Sequence, residues 1–295
     1  MGARDLKPCP LCGGRSLGPV FDPPLVRCEG CGLVFQNQES DPESAREQFE
    51  ALYEDSQRER HVWERRISVY RDFLNRYRPL PGRNRLLDVG CGSGQFLCLA
   101  RECGWDVTGV EMAEAAAQRA RLAGLPVHVG PLGRADLPEA SFDVITLWNV
   151  LDFLPDPVES AARAKRLLTP GGLFIVRVGN VAFQSAVYRV SDLLRRWPRL
   201  VAPIARQRTF HQVAFNARTL RRTLERSGFD RIEITNSRPS RGDPYRTLRR
   251  GDDATLQSVK WSLYVLAGLV AACTGGRVLW GSSLLATAVK EGNTR

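Results

Sequence analysis

Apolar side chains along the chain fall into short buried runs that alternate with longer segments of helical period. Leu86, Leu87 and Val89 form one compact run, and Gln95 to Ala100 after it has the spacing of a helix start. Trp105 to Glu111 reads as a second strand, Ser141 to Leu151 as a longer buried one, and Leu168 to Val176 as a glycine turn entering another. Leu284 to Val289 closes the series. Upstream, Val62, Trp63, Ile67, Tyr70, Phe73 and Leu74 recur at helical intervals, which predicts a lid helix over 61–77 that stops at Pro79-Leu80-Pro81-Gly82. His61 falls on the surface of that helix. The alternation predicts an α/β fold with a mostly parallel sheet and a ligand site at the strand C-termini.

Between the first strand and its helix lie Gly90, Gly92 and Gly94. Glycine permits positive φ and close approach of backbone to ligand, and a helix N-terminus presents free N–H groups. The segment therefore reads as a nucleotide-like cofactor loop. It is G-x-G-x-G, neither the dinucleotide G-x-G-x-x-G nor a P-loop. Asp88 would repel a pyrophosphate but suits a ligand with a sulfonium and an amino acid end. Glu111 ends the second strand 17 residues after Gly94, where a carboxylate can accept both ribose hydroxyls.

With these residues, Asp88-Val89-Gly90-Cys91-Gly92-Ser93-Gly94 resembles the first motif of the class I, seven-stranded Rossmann-like S-adenosylmethionine-dependent methyltransferases. Ser141 to Leu151 and Leu168 to Val176 resemble two further motifs, in the right order and spacing, over roughly residues 60 to 240. The resemblance implies a three-layer sheet with one antiparallel strand, supplied by Leu284–Val289. It implies S-adenosylmethionine as cofactor, with the loop Asp88, Gly90, Cys91, Gly92 and Gly94 at its methionine end, Glu111 on the ribose and Met112 beside the adenine. Where relatives place an acid for the adenine amine, this chain has Gly130-Pro131-Leu132, so backbone near Leu132 takes that place. Asn149, ending the fourth strand, would line the cofactor pocket where it meets the acceptor, or simply cap the strand.

Similar enzymes carry a histidine at the acceptor rim. His211 matches it and is a candidate general base; a loop histidine bonded to backbone is an equal alternative. After the fourth strand, where relatives also carry a histidine, this chain has Phe153, leaving Asp152 as the nearby alternative catalytic candidate. The implied activity is O- or C-methylation of a small-molecule or lipid- or glycan-linked acceptor. Leu147-Trp148-Asn149-Val150 lacks the Asn/Asp-Pro-Pro-aromatic pattern of amino-base methylation, so nucleic acid is the weaker alternative. A non-catalytic cofactor-binding scaffold is a third.

Cys9-x-x-Cys12 and Cys28-x-x-Cys31, with 15 residues between the pairs, have zinc-ribbon spacing. Four thiolates close a tetrahedral site, so the expected zinc is structural, and it supplies folding free energy that about forty residues cannot draw from a core. Cys91, Cys98, Cys103 and Cys273 read as small buried residues. Phe21 and Phe35 read as exposed ribbon aromatics.

The expected domains are a ribbon over 1–38, a linker and lid helix over 39–82, and a methyltransferase domain over 83–295. That domain carries a helical insert at about 180–215 and an apolar helix at about 259–274. The insert sets Val187, Tyr188, Val190, Leu193, Leu194 and Trp197 beside Arg189, Arg195, Arg196 and Arg199, the pattern of a basic amphipathic helix or an active-site cap. A formal charge of +10 suits anionic lipids, phosphorylated substrates or nucleic acid, or is ordinary soluble charge. The apolar helix is shorter than the roughly 20 residues of a bilayer span, so peripheral membrane contact or a partner subunit is its expected use. Met1 to Lys7 has no apolar export run, so the expected compartment is the cytoplasm, with membrane association at its periphery. Oligomeric state is not legible.

Overall fold

The computed structural model describes residues 7–21, 25–37, 56–193, 211–241 and 250–292. A small antiparallel sheet starts the chain: β1 (Leu17–Pro19), β2 (Leu25–Cys28) and β3 (Val34–Gln36). Helix α1 (Ser56–Arg76) follows. Next come β4 (Arg85–Val89), α2 (Gln95–Glu102), β5 (Asp106–Glu111), α3 (Glu114–Leu122), β6 (Val127–Val129), β7 (Phe142–Trp148), α4 (Pro157–Leu167) and β8 (Leu168–Gly179). The chain closes with α5 (Val181–Leu193), β9 (Val213–Ala214), α6 (Ala217–Arg226), β10 (Arg231–Asn236), α7 (Arg250–Cys273) and β11 (Ser283–Val289).

The large sheet has seven strands in the order β10-β11-β8-β7-β4-β5-β6. Only β11 runs antiparallel to its neighbours, as expected for the last strand. Side chains of a strand alternate between faces, and the two cores follow that alternation. On β4, Leu87 and Val89 join the core with α4 and α6, while Leu86 joins the one with α1, α2 and α3. The order of β5-β4-β7 reverses direction in sequence, and the crevice there opens at the strand C-termini.

The small sheet takes its fourth strand from far downstream. β9 pairs antiparallel with β3, Val34 opposite Ala214 and Phe35 opposite Val213. The sequence reading places residues 213–214 in the helical insert. A two-residue strand carries no period of its own, and only pairing with β3 orders it. The ribbon residues Cys9, Leu11, Cys28, Cys31, Leu33 and Phe35 share one buried cluster with Leu151, Val213 and Phe215 of the main body. Phe35 is thus buried rather than exposed, and the half-buried Phe21 ring meets Tyr188 of α5 at 4.9 Å. Of the four cysteines outside the ribbon, only Cys91 is buried; Cys98 is half-buried, and Cys103 and Cys273 are exposed. Leu194, Arg195, Arg196, Trp197 and Arg199 of the insert, and the linker over 39–55, lie outside the described residues.

Candidate active site

The glycine turn after β4 is built as its sequence requires. Gly90, Gly92 and Gly94 all have positive φ, at 72°, 56° and 83°. A Cβ on Gly90 would lie 2.5 Å from Cγ2 of Val150, so the loop is pinned against the end of β7. A Cβ on Gly94 would meet Leu125 at 2.3 Å, so this glycine also lets α2 pack on α3. The Cys91 thiol turns inward, close to where a Cβ on Gly109 would sit, and burial pushes its pKa up.

Two acids flank the turn. The Glu111 carboxylate accepts from the backbone N–H groups of Gly92 at 2.8 Å and Ala113 at 2.9 Å. A carboxylate has about four lone-pair positions, the kind of acceptor that vicinal hydroxyls need. Asp88 is fully buried and accepts from the Thr146 hydroxyl at 2.6 Å. Burial pushes its pKa up to about 8; the Thr146 bond opposes the rise and the charge on Glu111 adds to it. A cradle of positive-φ glycines, a tethered carboxylate and a buried acid awaiting a positive charge fits S-adenosylmethionine. Met112 is half-buried beside Glu111, and Leu132 is buried in a short 3-10 turn, Leu132–Arg134, after β6.

A second cluster, at the ends of β7 and β8, gathers residues from three distant segments. Asp152 lies in the 3-10 turn Leu151–Phe153 after β7, buried to 4% exposure. The His211 ring stacks on Phe153, centroids 3.7 Å apart and planes 29° from parallel. Burial lowers the His211 pKa, attraction to Asp152 opposes this, and Arg66 of α1 lowers it further. Burial raises Asp152, while His211 leads the charges that pull it back. The two candidates the sequence singled out, about 60 residues apart, therefore act on one another.

Asn149 ends β7 with φ 59°, and its Oδ1 accepts from Arg177 Nη1 at 2.5 Å. Arg177 is buried and also donates through Nε to Ser237 at 2.9 Å. Tyr70 of α1 is buried and feels Arg66, Asp88 and Arg177. Arg66, Tyr70 and Arg177 were not singled out from sequence. Tyr70 was visible only as a helical apolar position, and Arg177 only as one charge inside a buried run. The aromatic face of α1 seals this edge: Tyr70 and Phe73 pack on Trp148 at 5.3 and 5.5 Å and on Phe96 at 5.2 and 5.8 Å.

The four ribbon cysteines place all their sulfurs within 4.8 Å of one another, with Cys9–Cys31 and Cys12–Cys28 each at 3.5 Å. Tetrahedral thiolates about 2.3 Å from a zinc ion would stand about 3.8 Å apart, so the donor set fits that metal. The knuckles close through Gly13 N–H to the Cys9 carbonyl and Gly32 N–H to the Cys28 carbonyl, both 2.8 Å.

Residues 62–234 match the family described as Methyltransferase domain. The chain belongs to this family, the class I S-adenosylmethionine-dependent methyltransferases. The methyltransferase is 40% identical over 108 residues to the ubiquinone biosynthesis O-methyltransferase of Alkalilimnicola ehrlichii, covering 34% of this chain and 43% of the relative. It is 36% identical over 138 residues to that of Hahella chejuensis, covering 43% and 58%. It thus spans about half the length of these curated relatives. Among solved structures, a chain of the complex between the Haloferax volcanii Trm112 methyltransferase activator and a methyltransferase aligns over 85% of this chain and 100% of its own, with TM-score 0.58 and 16% identity. Phosphoethanolamine N-methyltransferase 2 of Haemonchus contortus aligns with TM-score 0.51 and 16% identity over 88% of this chain and 62% of its own. At such identity these two speak to the fold.

Proposed function

We propose that the methyltransferase moves the methyl group of S-adenosylmethionine to an oxygen of a small, apolar or lipid-linked acceptor. The observation that carries this reading is the half-buried His211 stacked on Phe153, with the buried Asp152 next to Phe153 in the turn after β7, at the strand ends that also hold the glycine cradle. S-adenosylmethionine supplies a methyl already activated by its sulfonium. The protein's own task is to orient the acceptor, exclude water and take one proton.

Burial keeps the His211 imidazole neutral near pH 7, so its free nitrogen can accept the acceptor's hydroxyl proton. Asp152 then stabilises the imidazolium through the attraction that already links the two groups. The Phe153 stack fixes the ring plane. The aromatic face of α1 excludes water. An oxygen acceptor is supported by the relatives' name, O-methyltransferase of ubiquinone biosynthesis.

Helix α7 supports a membrane-facing acceptor. Val259, Leu263, Val265, Leu266 and Leu269 are 43–59% exposed, and Trp280 after it is 60% exposed. No helix among the described residues is long and apolar enough to cross a membrane. An exposed apolar helix on a chain of charge +10 suits the surface of an anionic bilayer. The ribbon cysteines would hold one structural zinc.

The test is methyl transfer from labelled donor to a panel of catechols, prenylated phenols, amines and RNA. Expected is an O-methylated phenolic product, lost by about 10²- to 10⁴-fold in kcat for His211→Gln. Transfer to amine or RNA alone would overturn the reading.

A further inference from the structure

The ribbon does more than decorate the fold. Its third strand β3 is hydrogen-bonded to β9, and Gln36 N–H donates to the Gln212 carbonyl at 2.9 Å. Gln212 is the residue next to His211. On the other side of β9, Val181 N–H donates to the Phe215 carbonyl at 2.7 Å, and Asn180 bridges Phe215. Asn180 is itself fully buried and donates to the Leu279 and Gly281 carbonyls at 3.0 and 2.9 Å. The segment 212–215 is thus clamped between the ribbon and the end of β8. It has only two strand residues of its own.

We infer that the metal-closed ribbon is the positioning element for His211: it fixes the histidine by holding β9, and so forms one wall of the acceptor pocket. Three strands of three or four residues have little apolar core of their own beyond the face they share with the main body. The four thiolates around one metal supply the missing free energy. Gly14 sits against them, since a Cβ there would lie 3.2 Å from Cys12 Sγ and 3.4 Å from Cys28 Sγ. Loss of the metal unravels β3, frees one edge of β9, and releases the His211 ring from Phe153. The cofactor cradle lies on β4 and β5 and shares no strand with the ribbon, so it stays intact. The ribbon residues that transmit the position are Phe35, buried in the shared core, and Val34, packed with Ala214 and Val181.

The claim rests on the reading of His211 as an acceptor-side residue only for its functional meaning; the positioning itself can be read without catalysis. The experiment follows the imidazole resonances of the full chain by NMR, with His211 assigned by loss of its signal in His211→Gln. Zinc is stripped from the wild-type protein with a chelator and then restored. S-adenosylhomocysteine affinity is measured by calorimetry at each step. Expected is a His211 ring signal displaced by the Phe153 ring current in the metal-loaded protein. On stripping it moves to the position of a free imidazole, and it returns when zinc is restored. Affinity for S-adenosylhomocysteine stays within about twofold throughout. Phe35→Ala, which keeps all four cysteines, should move the same signal part of the way. A His211 signal unmoved by zinc removal overturns the inference. So does a joint loss of cofactor-product binding, which would mean that the metal supports the whole fold and not this wall. If His211 moves as described yet His211→Gln methylates normally, the positioning stands and the proposed base role falls.

Discussion

The Thr146 hydroxyl donates to the Asp88 carboxylate at 2.6 Å, under the floor of the glycine turn. It opposes a rise in pKa that burial drives to about 8. Below that pH the empty site holds Asp88 as the neutral acid. A sulfonium favours the charged form, so S-adenosylmethionine should displace a proton on binding. Its affinity should then rise with pH, by at most about tenfold per unit, and level off above about pH 8. The product, with no charge on sulfur, should show a flatter profile. Calorimetry in buffers of different ionisation enthalpy checks both. Thr146→Val removes the opposing bond and should shift the plateau to higher pH.

Glu111→Gln should weaken S-adenosylhomocysteine by about 10- to 100-fold, the loss of charge-assisted hydrogen bonds worth about 1.5–3 kcal/mol. The new amide nitrogen would also face the N–H of Gly92 or Ala113. Thermal melting without ligand separates that local cost from the cost to binding.

Gly90→Ala should lose both stability and cofactor binding, because its Cβ would meet Val150 and its φ is positive. The double variant Gly90→Ala/Val150→Ala removes the clash and should recover part of the melting temperature. Gly133, with nothing within 4 Å of a built Cβ, is the silent control as Gly133→Ala. Equal damage at both positions would argue against steric pinning of the loop.

The pH–rate profile should carry an acid limb below the ordinary histidine value of about 6.5, because burial lowers His211. Rate is lost as pH falls through that value and the base becomes protonated. Asp152→Asn removes the attraction that raises His211, so the limb should move to still lower pH. Arg66→Gln removes a lowering charge and should move it up. Opposite shifts from the two variants would distinguish an electrostatic role from loss of packing.

Leu266→Glu and Leu269→Glu, at 53% and 59% exposure, should leave the melting temperature nearly unchanged. Both should reduce cosedimentation with anionic liposomes. Retention equal to wild type would remove α7 from the proposed membrane contact.

The cofactor half of the site was legible in sequence because it is local. Its glycines, Asp88 and Glu111 sit within one strand–helix–strand unit, where each residue type answers to one backbone need. The cysteine knuckles were legible for the same reason, as spacing alone brings each pair together. The acceptor half was only partly so. His211 and Asp152 could be named, but not their meeting, which depends on how β7 and β9 end. Arg66 carried no signal in the sequence, and only the packing of α1 brings its charge near His211 and Asp152. The pairing of β3 with β9 left no trace in either segment, since register between distant edges is set by the finished core.

That pairing has a kinetic side. The ribosome releases β3 early, but its partner emerges about 180 residues later, roughly 10–40 s at ordinary elongation rates. Throughout that interval the edge of β3 that β9 covers lacks its partner strand. With the four cysteines holding zinc as proposed, metal supply while the chain is being made should change how much protein reaches its finished form, which expression in zinc-depleted and zinc-replete medium measures.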